Sequence, residues 1–357
     1  MSSVSSRKAG YWVAAFVLLA SIIINRFVPM SESLASSTRY LYLFSAIFTY
    51  VLYARHRMSA IIVGTSCCIG LISILRYFYF SATEAAVIQF VSVFLISYVI
   101  ASGISSFKPI SGAFMGLSLV TLTIFGISLI QSGFTSVESA LPNHSRNHAV
   151  TLLISINAML LLCNYKGVIF DFYRIIFYVV SVYVLIFHTG TVGLLLGLLM
   201  VSIPAFILLP YRLSFGFAVP FLLFVVTIVD VKQIFSFSSY FLMNDPRYEV
   251  WLLVAENAVM SHSLFGRPLK EVLQTGYTTH NTFLDFFVWF GFYGGASFII
   301  FNLALIVKTK NFLRLYLIIF SLKFFSDSVI KSYDLIVVLF VIGWLVLYYK
   351  DKRFQVN

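Results

Sequence analysis

Twelve stretches of this sequence are apolar over most of the roughly 20 residues that a helix needs to cross a bilayer. They cover residues 11–28, 40–54, 59–75, 85–101, 112–130, 149–163, 173–188, 190–209, 214–229, 282–307, 315–330 and 335–349. Several are short, and the eleventh is interrupted by Lys323 and Asp327. Composition points the same way: 60% of residues are hydrophobic, only 10% are Asp, Glu, Lys or Arg, and the mean hydropathy is +0.96. An ordinary soluble domain is about 45–50% apolar and about 25% charged. With so few charges, polar atoms could not cover a water-soluble globule. A soluble enzyme, a disordered tail and a nucleic-acid-binding module are therefore excluded. The expected fold class is all-α, a polytopic integral membrane protein of about twelve transmembrane helices in a single membrane domain over residues 1–357.

The net charge of +11 tests that count. Cytoplasmic loops of membrane proteins carry an excess of Lys and Arg. With the N-terminus inside and the loops alternating, the inner side holds fourteen basic residues, from Arg7 and Lys8 to Lys350, Lys352 and Arg353. Only Asp171 and Asp351 oppose them. The inner balance is +12 and the outer balance −1. One helix more or fewer would scramble this asymmetry, so it supports twelve spans with both termini cytoplasmic. The first stretch follows Arg7 and Lys8 as a signal peptide would. Its apolar run is too long, and Asn25 and Arg26 stand where small cleavage-site residues belong, so a retained helix is expected. Cys67, Cys68 and Cys163 lie in apolar runs, are odd in number and lack metal-ligand spacing, which suits small buried side chains.

Two outer segments are long enough to hold chemistry, 131–148 and 230–280; loops longer than about 15 residues are commonly functional. The second lies between the ninth and tenth helices. Within it Arg247-Tyr248-Glu249-Val250-Trp251-Leu252-Leu253 reads as a short helix after Asp245-Pro246. The ionisable outer residues are Arg146, His144, His148, Arg247, Arg267, Lys270, His262 and His280. Ionisable groups at or within the membrane are functional candidates by default. Each also has a plainer reading. Arg146 can snorkel from a helix end, Arg247 can cap or stack on Trp251 four residues on, and Arg267 and Lys270 can be solvated loop charges. An Arg guanidinium is a planar fork suited to phosphate oxygens, and His is the usual general base. A lone His at a helix start is more often structural.

The surrounding pattern gives His280 its weight. His280-Asn281 is followed by nine residues, Gly291, two residues and Gly294. Upstream come Arg247-Tyr248-Glu249-Val250-Trp251 and then Ser261-His262-Ser263-Leu264-Phe265-Gly266, and earlier still Ser145-Arg146-Asn147. In this order the motifs resemble those of the superfamily of bacterial O-antigen ligases and O-antigen or capsule repeat-unit polymerases. There a His-Asn pair opens a transmembrane helix after the largest periplasmic loop. The resemblance covers roughly residues 140–305. One departure stands out: where members often carry an Arg at the start of a middle helix, this chain has Gly190-Thr191-Val192-Gly193. His188, just before it, is a substitute or a structural helix-end His.

The resemblance implies a multi-pass protein of the bacterial inner membrane with its active site facing the periplasm. It implies metal-independent transfer of a glycan from undecaprenyl pyrophosphate, with no cofactor. In a polymerase, the favoured reading, the acceptor is the terminal sugar of another carrier-linked repeat unit; in a ligase it is the lipid A core. His280 is the expected base or acceptor-orienting group, and Arg146 and Arg247 the expected diphosphate ligands. Asn281, Arg267, Trp251, His144 and Asn147 are expected to bind substrate. Glu249, Glu256 and Asp285 are alternative bases. Asp285 lies about 500° around the helix from His280, off its face. Partners are the carrier-linked oligosaccharide, membrane lipids and a chain-length regulator. A polytopic transporter or flippase is the alternative from another class; it would be expected to show repeats and discontinuous helices, and no half-to-half similarity is found.

Overall fold

The computed structural model describes residues 85–106, 108–135, 146–163, 167–208, 280–327 and 334–355, with parts of 16–29, 137, 140–141 and 251–252. Among these residues the architecture is all-helical, with no strand. One isolated antiparallel bridge joins Thr309 and Gln355. Eight helices are described: α1 (Ala85–Ser106), α2 (Lys108–Gln131), α3 (Arg146–Leu162), α4 (Val168–His188), α5 (Thr191–Leu208), α6 (Thr282–Lys308), α7 (Asn311–Ser326) and α8 (Asp334–Gly343). A π-helical turn, Trp344–Tyr348, continues α8. Among the described residues, three stretches have the length and composition to cross a membrane: Ser111–Gln131, Val168–His188 and Thr282–Lys308. The expected spans 40–54, 59–75 and 214–229 lie outside the described residues.

Helix α4 shows which solvent this surface suits. Val168, Ile169, Phe172, Ile175, Ile176, Val179, Tyr183 and Phe187 are exposed, and they recur every three or four residues along one face. Phe170, Phe177 and Leu185 are buried on the other side. A contiguous outward apolar stripe of this size is unfavourable in water and natural against lipid tails. The chain is a membrane-embedded helical protein.

The helices group into two compact units. One comprises Met1–Val179 with Tyr333–Lys350, the other Val180–Ser332 with Asp351–Asn357. In the first, α8 packs on α1 and α3. The indole N–H of Trp344 donates to Ser97 Oγ at 3.1 Å, and Phe94 and Tyr98 lie edge-on or tilted to its ring. A buried indole needs such an acceptor. In the second unit, α7 packs on α5 and α6. Asn302 Nδ2 donates to Ser321 Oγ at 2.8 Å across the α6–α7 contact.

Two expected spans are corrected. The eleventh, 315–330, is displaced: α7 runs from Asn311 to Ser326. Arg314 belongs to its first turn because the guanidinium folds back on the end of α6. Its Nε donates to the carbonyls of Ile306 and Thr309, both at 3.1 Å, and Nη2 to that of Val307. Carbonyls at a helix C-terminus lack intrahelical donors, and a cation satisfies them. The tenth, 282–307, is not one straight helix. Gly291 has φ 72° and ψ −172°, inside a backbone region essentially reserved for glycine. The chain reverses there. Phe286 and Phe298 stack at 3.8 Å, although twelve residues of straight helix would part them by about 18 Å. Phe283 is likewise 5.7 Å from Phe298. α6 is therefore a hairpin, with a first limb at 282–290 and a second at 292–308. Gly294 and Gly295 allow the limbs to close, since a Cβ at either position would overlap Phe290 or Phe287.

Candidate functional site

The hairpin brings the His280-Asn281 pair against the end of α7. Asn281 is the N-cap of the first limb. Its backbone is extended (φ −149°, ψ 111°), and its side-chain oxygen accepts from the Leu284 N–H at 3.2 Å. Asn at this position satisfies a donor that has no intrahelical partner. His280, one residue earlier, is held at φ 48°. That left-handed conformation is uncommon for a residue with a side chain, though His enters it more readily than most. The sharp turn swings the imidazole toward α7.

Asp327 receives it. This residue ends α7 in extended backbone (φ −157°, ψ 155°). Its carbonyl accepts the Thr282 N–H at 3.1 Å and the Thr282 hydroxyl at 2.7 Å. A terminal carbonyl of α7 and a terminal N–H of α6 thus satisfy each other. The two oxygens of the Asp327 side chain face different groups. Oδ2 accepts from Lys323 Nζ at 2.8 Å, and Oδ1 is 3.8 Å from His280 Nδ1. The Lys323 side chain is 0% exposed, Asp327 13% and His280 42%. The imidazole therefore reaches the surface of the site while its carboxylate partner is largely enclosed and its ammonium fully so. Trp251 stands at the same end of α7, its ring 5.1 Å from Phe325 in an edge-to-face contact.

Three residues expected from the motifs, His280, Asn281 and Trp251, are therefore gathered at the end of α7. Arg146 and Asn147 are the first two residues of α3, in the other unit. The Asn147 carbonyl accepts from Thr151 Oγ1 at 2.9 Å, and Asn147 is half-exposed. His144, Arg247 and Arg267 lie outside the described residues, as do Lys270, His262, Glu249 and Glu256. Asp285 is buried, 2% exposed, three residues along the first limb from Thr282. The segment that departs from the family pattern is a tight junction between α4 and α5. Gly190 has φ 90°, and a Cβ on Gly193 would overlap the Thr189 side chain. His188 is buried at the last turn of α4 with its ring 5.2 Å from Tyr183.

Motif reasoning missed Lys323 and Asp327 as members of the site. Their signal was present: two opposite charges four residues apart inside an apolar stretch. That spacing puts both on one helix face, and a charge pair within a membrane helix is costly enough to be informative.

No family model, no curated protein and no solved structure matches the chain.

Proposed function

We propose that this protein is a polytopic glycosyltransferase that polymerises lipid-linked repeat units at the periplasmic face of the bacterial inner membrane. The observation that carries this reading is the His280–Asp327 pair at the start of the broken helix. A transfer to a sugar hydroxyl needs a group that removes the hydroxyl proton as the oxygen attacks the anomeric carbon. With Nδ1 toward the Asp327 carboxylate, His280 presents Nε2 as the basic nitrogen, and the carboxylate stabilises the imidazolium that forms. Contacts of this kind are commonly long without substrate and tighten once it binds.

In the proposed step the acceptor oxygen bonds to the anomeric carbon. The bond from that carbon to the pyrophosphate breaks, and the departing lipid pyrophosphate keeps the electron pair. His280 takes the acceptor's proton. Arg146 and Arg247 are the proposed partners of the leaving charge, because fixed cations in a low-dielectric site stabilise developing charge strongly. Asn281 and Trp251, with Arg267, His144 and Asn147, are the proposed contacts to the sugars. A chain-length regulator is a proposed protein partner.

The test is genetic and biochemical together. Cells lacking the protein are expected to carry a single repeat unit on the lipid core. His280→Ala is expected to reproduce that phenotype with normal protein in the membrane, a loss of about 10²–10⁴ in rate. Complete absence of repeat units on the core would favour the ligase reading, and full-length polymer from His280→Ala would exclude His280 as the base.

One observation favours a transporter or flippase as a second reading. A helix broken within an apolar segment, beside a buried Lys–Asp pair, is a common feature of secondary transporters. Loss of a flippase would leave the lipid-linked unit on the cytoplasmic leaflet, which separates the two.

A further inference from the structure

Lys323 has no role in the chemistry just described, yet it is a charged residue enclosed by the protein. Its side chain is 0% exposed, on a helix whose Leu317, Phe320 and Phe324 are also buried. An ammonium in such surroundings is costly unless it is paired. A buried ion pair seldom stabilises more than a well-packed apolar pair of the same volume, so stability does not account for it. Complete burial also excludes a direct contact with a substrate pyrophosphate. Lys323 Nζ donates to Asp327 Oδ2 at 2.8 Å, and the other oxygen of that carboxylate faces His280.

We propose that Lys323 is a positioning residue: its ammonium keeps the Asp327 carboxylate charged and anchors one oxygen so that the other is held toward His280. Its catalytic meaning rests on the transferase reading above, whereas its effect on Asp327 does not. The backbone makes the anchoring effective. Asp327 is fixed through its carbonyl to both donors of Thr282, so the remaining freedom of its side chain is rotation, which the Lys323 bond removes. Without the ammonium the enclosed carboxylate loses a charge partner, and a buried charge so deprived tends to neutralise. A neutral carboxyl cannot stabilise an imidazolium.

Among the described residues, the charged and titratable groups near this carboxylate are few. On α7 they are Lys323 and Asp327. On the first limb of α6 and just before it they are His280 and the buried Asp285, which shares a helix face with Thr282. The second limb carries only Tyr293 and Lys308, both exposed, and α5 carries none.

Two measurements test the proposal. The first is infrared difference spectroscopy on purified protein labelled with carboxyl-13C aspartate. Lys323→Met is expected to gain a protonated-carboxyl band that vanishes in Lys323→Met/Asp327→Asn, while Lys323→Arg gains none. Absence of the band overturns the proposal, as does a band that survives in the double variant, which would belong to another aspartate such as Asp285. Lys323→Gln replaces Met if the apolar variant fails to accumulate. The second measurement uses the lipid-linked oligosaccharide extracted from cells lacking the protein as substrate. Lys323→Met is expected to lose about tenfold in rate near neutral pH and to recover as pH rises, because alkali restores the carboxylate; about tenfold per pH unit is the natural scale. Lys323→Arg should follow the wild type. A loss equal at every pH would mean a structural role and would overturn the positioning role. Wild-type protein inert toward the extracted lipid, with the infrared result intact, would refute the transferase reading and leave the Lys323–Asp327 assignment standing.

Discussion

Replacing Gly291 by Ala should damage this protein far more than the loss of a hydrogen atom suggests. In an ordinary helix interior Gly→Ala is favourable by roughly 0.5–1 kcal/mol, because alanine loses less backbone freedom on folding. Gly126, within α2, is such a site: its backbone is helical and a Cβ would meet nothing within 4 Å. Gly291 is the opposite case. At φ 72° and ψ −172° a side chain meets its own backbone, and holding a residue there costs about 1–3 kcal/mol. Summed with the lost propensity difference, Gly126→Ala and Gly291→Ala should differ in stability by about 1.5–4 kcal/mol, with opposite signs. The measurement is equilibrium unfolding in mixed detergent and dodecyl sulfate micelles, followed by tryptophan fluorescence; Trp289 lies two residues from the reversal. The alanine can relieve its strain only by opening the hairpin, which would draw Thr282 and His280 away from Asp327. Transfer activity should therefore fall along with stability. A Gly291→Ala protein as stable as Gly126→Ala, with activity intact, would refute the argument that glycine's conformational range makes the reversal.

Three further outcomes are expected. Thr282→Val removes the hydroxyl donor to the Asp327 carbonyl but keeps the N–H donor, so it should cost about 0.5–1.5 kcal/mol in the same unfolding assay. Arg146→Lys keeps charge but loses the planar fork, so it should lower chain extension in complemented cells; wild-type polymer from this variant would argue against bidentate phosphate binding. At the C-terminus burial works to raise the Asp351 carboxyl, but hydrogen bonds and charge from Arg353 outweigh it and hold the group below the usual carboxylate range. A carboxyl depressed on folding contributes stability above its unfolded value and loses it as pH falls through the folded value. Wild-type stability should thus drop toward that of Asp351→Asn only as pH falls below the ordinary carboxyl value of 3.8, and an unchanged gap between the two there would contradict the pairing.

The helix ends were largely legible in the sequence because hydropathy changes abruptly at most of them. α1, α2, α3, α5 and α8 begin or end within a few residues of the apolar boundaries. The displaced start of α7 was not, because Arg314 looks like a loop charge until the carbonyls it caps are in place. The reversal at Gly291 was hidden for a different reason. The side chains on both limbs are apolar, so hydropathy is continuous across 282–307, and a single glycine is compatible with a straight membrane helix. Gly291, Gly294 and Gly295 together were a hint that only the stacked Phe286 and Phe298 make decisive. At the site, His280 and Asn281 were legible as a motif, and Trp251 as an aromatic in the loop helix. Lys323 and Asp327 were visible only as defects in a span. Their meaning depends on a contact between residues 47 positions apart, since Asp327 faces His280.

The hairpin also bears on how the chain is assembled in the cell. An insertion machinery that responds to hydropathy meets residues 282–308 as one uninterrupted apolar segment of 27 residues, amply long for a single crossing. The folded limbs are about 13 Å and about 25 Å long at 1.5 Å per residue, so the first reaches less than half of a hydrocarbon layer about 30 Å thick. Nothing in the segment's hydropathy announces the reversal, and the partners that stabilise it, Phe324 and Asp327, are synthesised later. Assembly of the site therefore waits on the emergence of α7. A ribosome stalled before that point would hold His280 without its carboxylate.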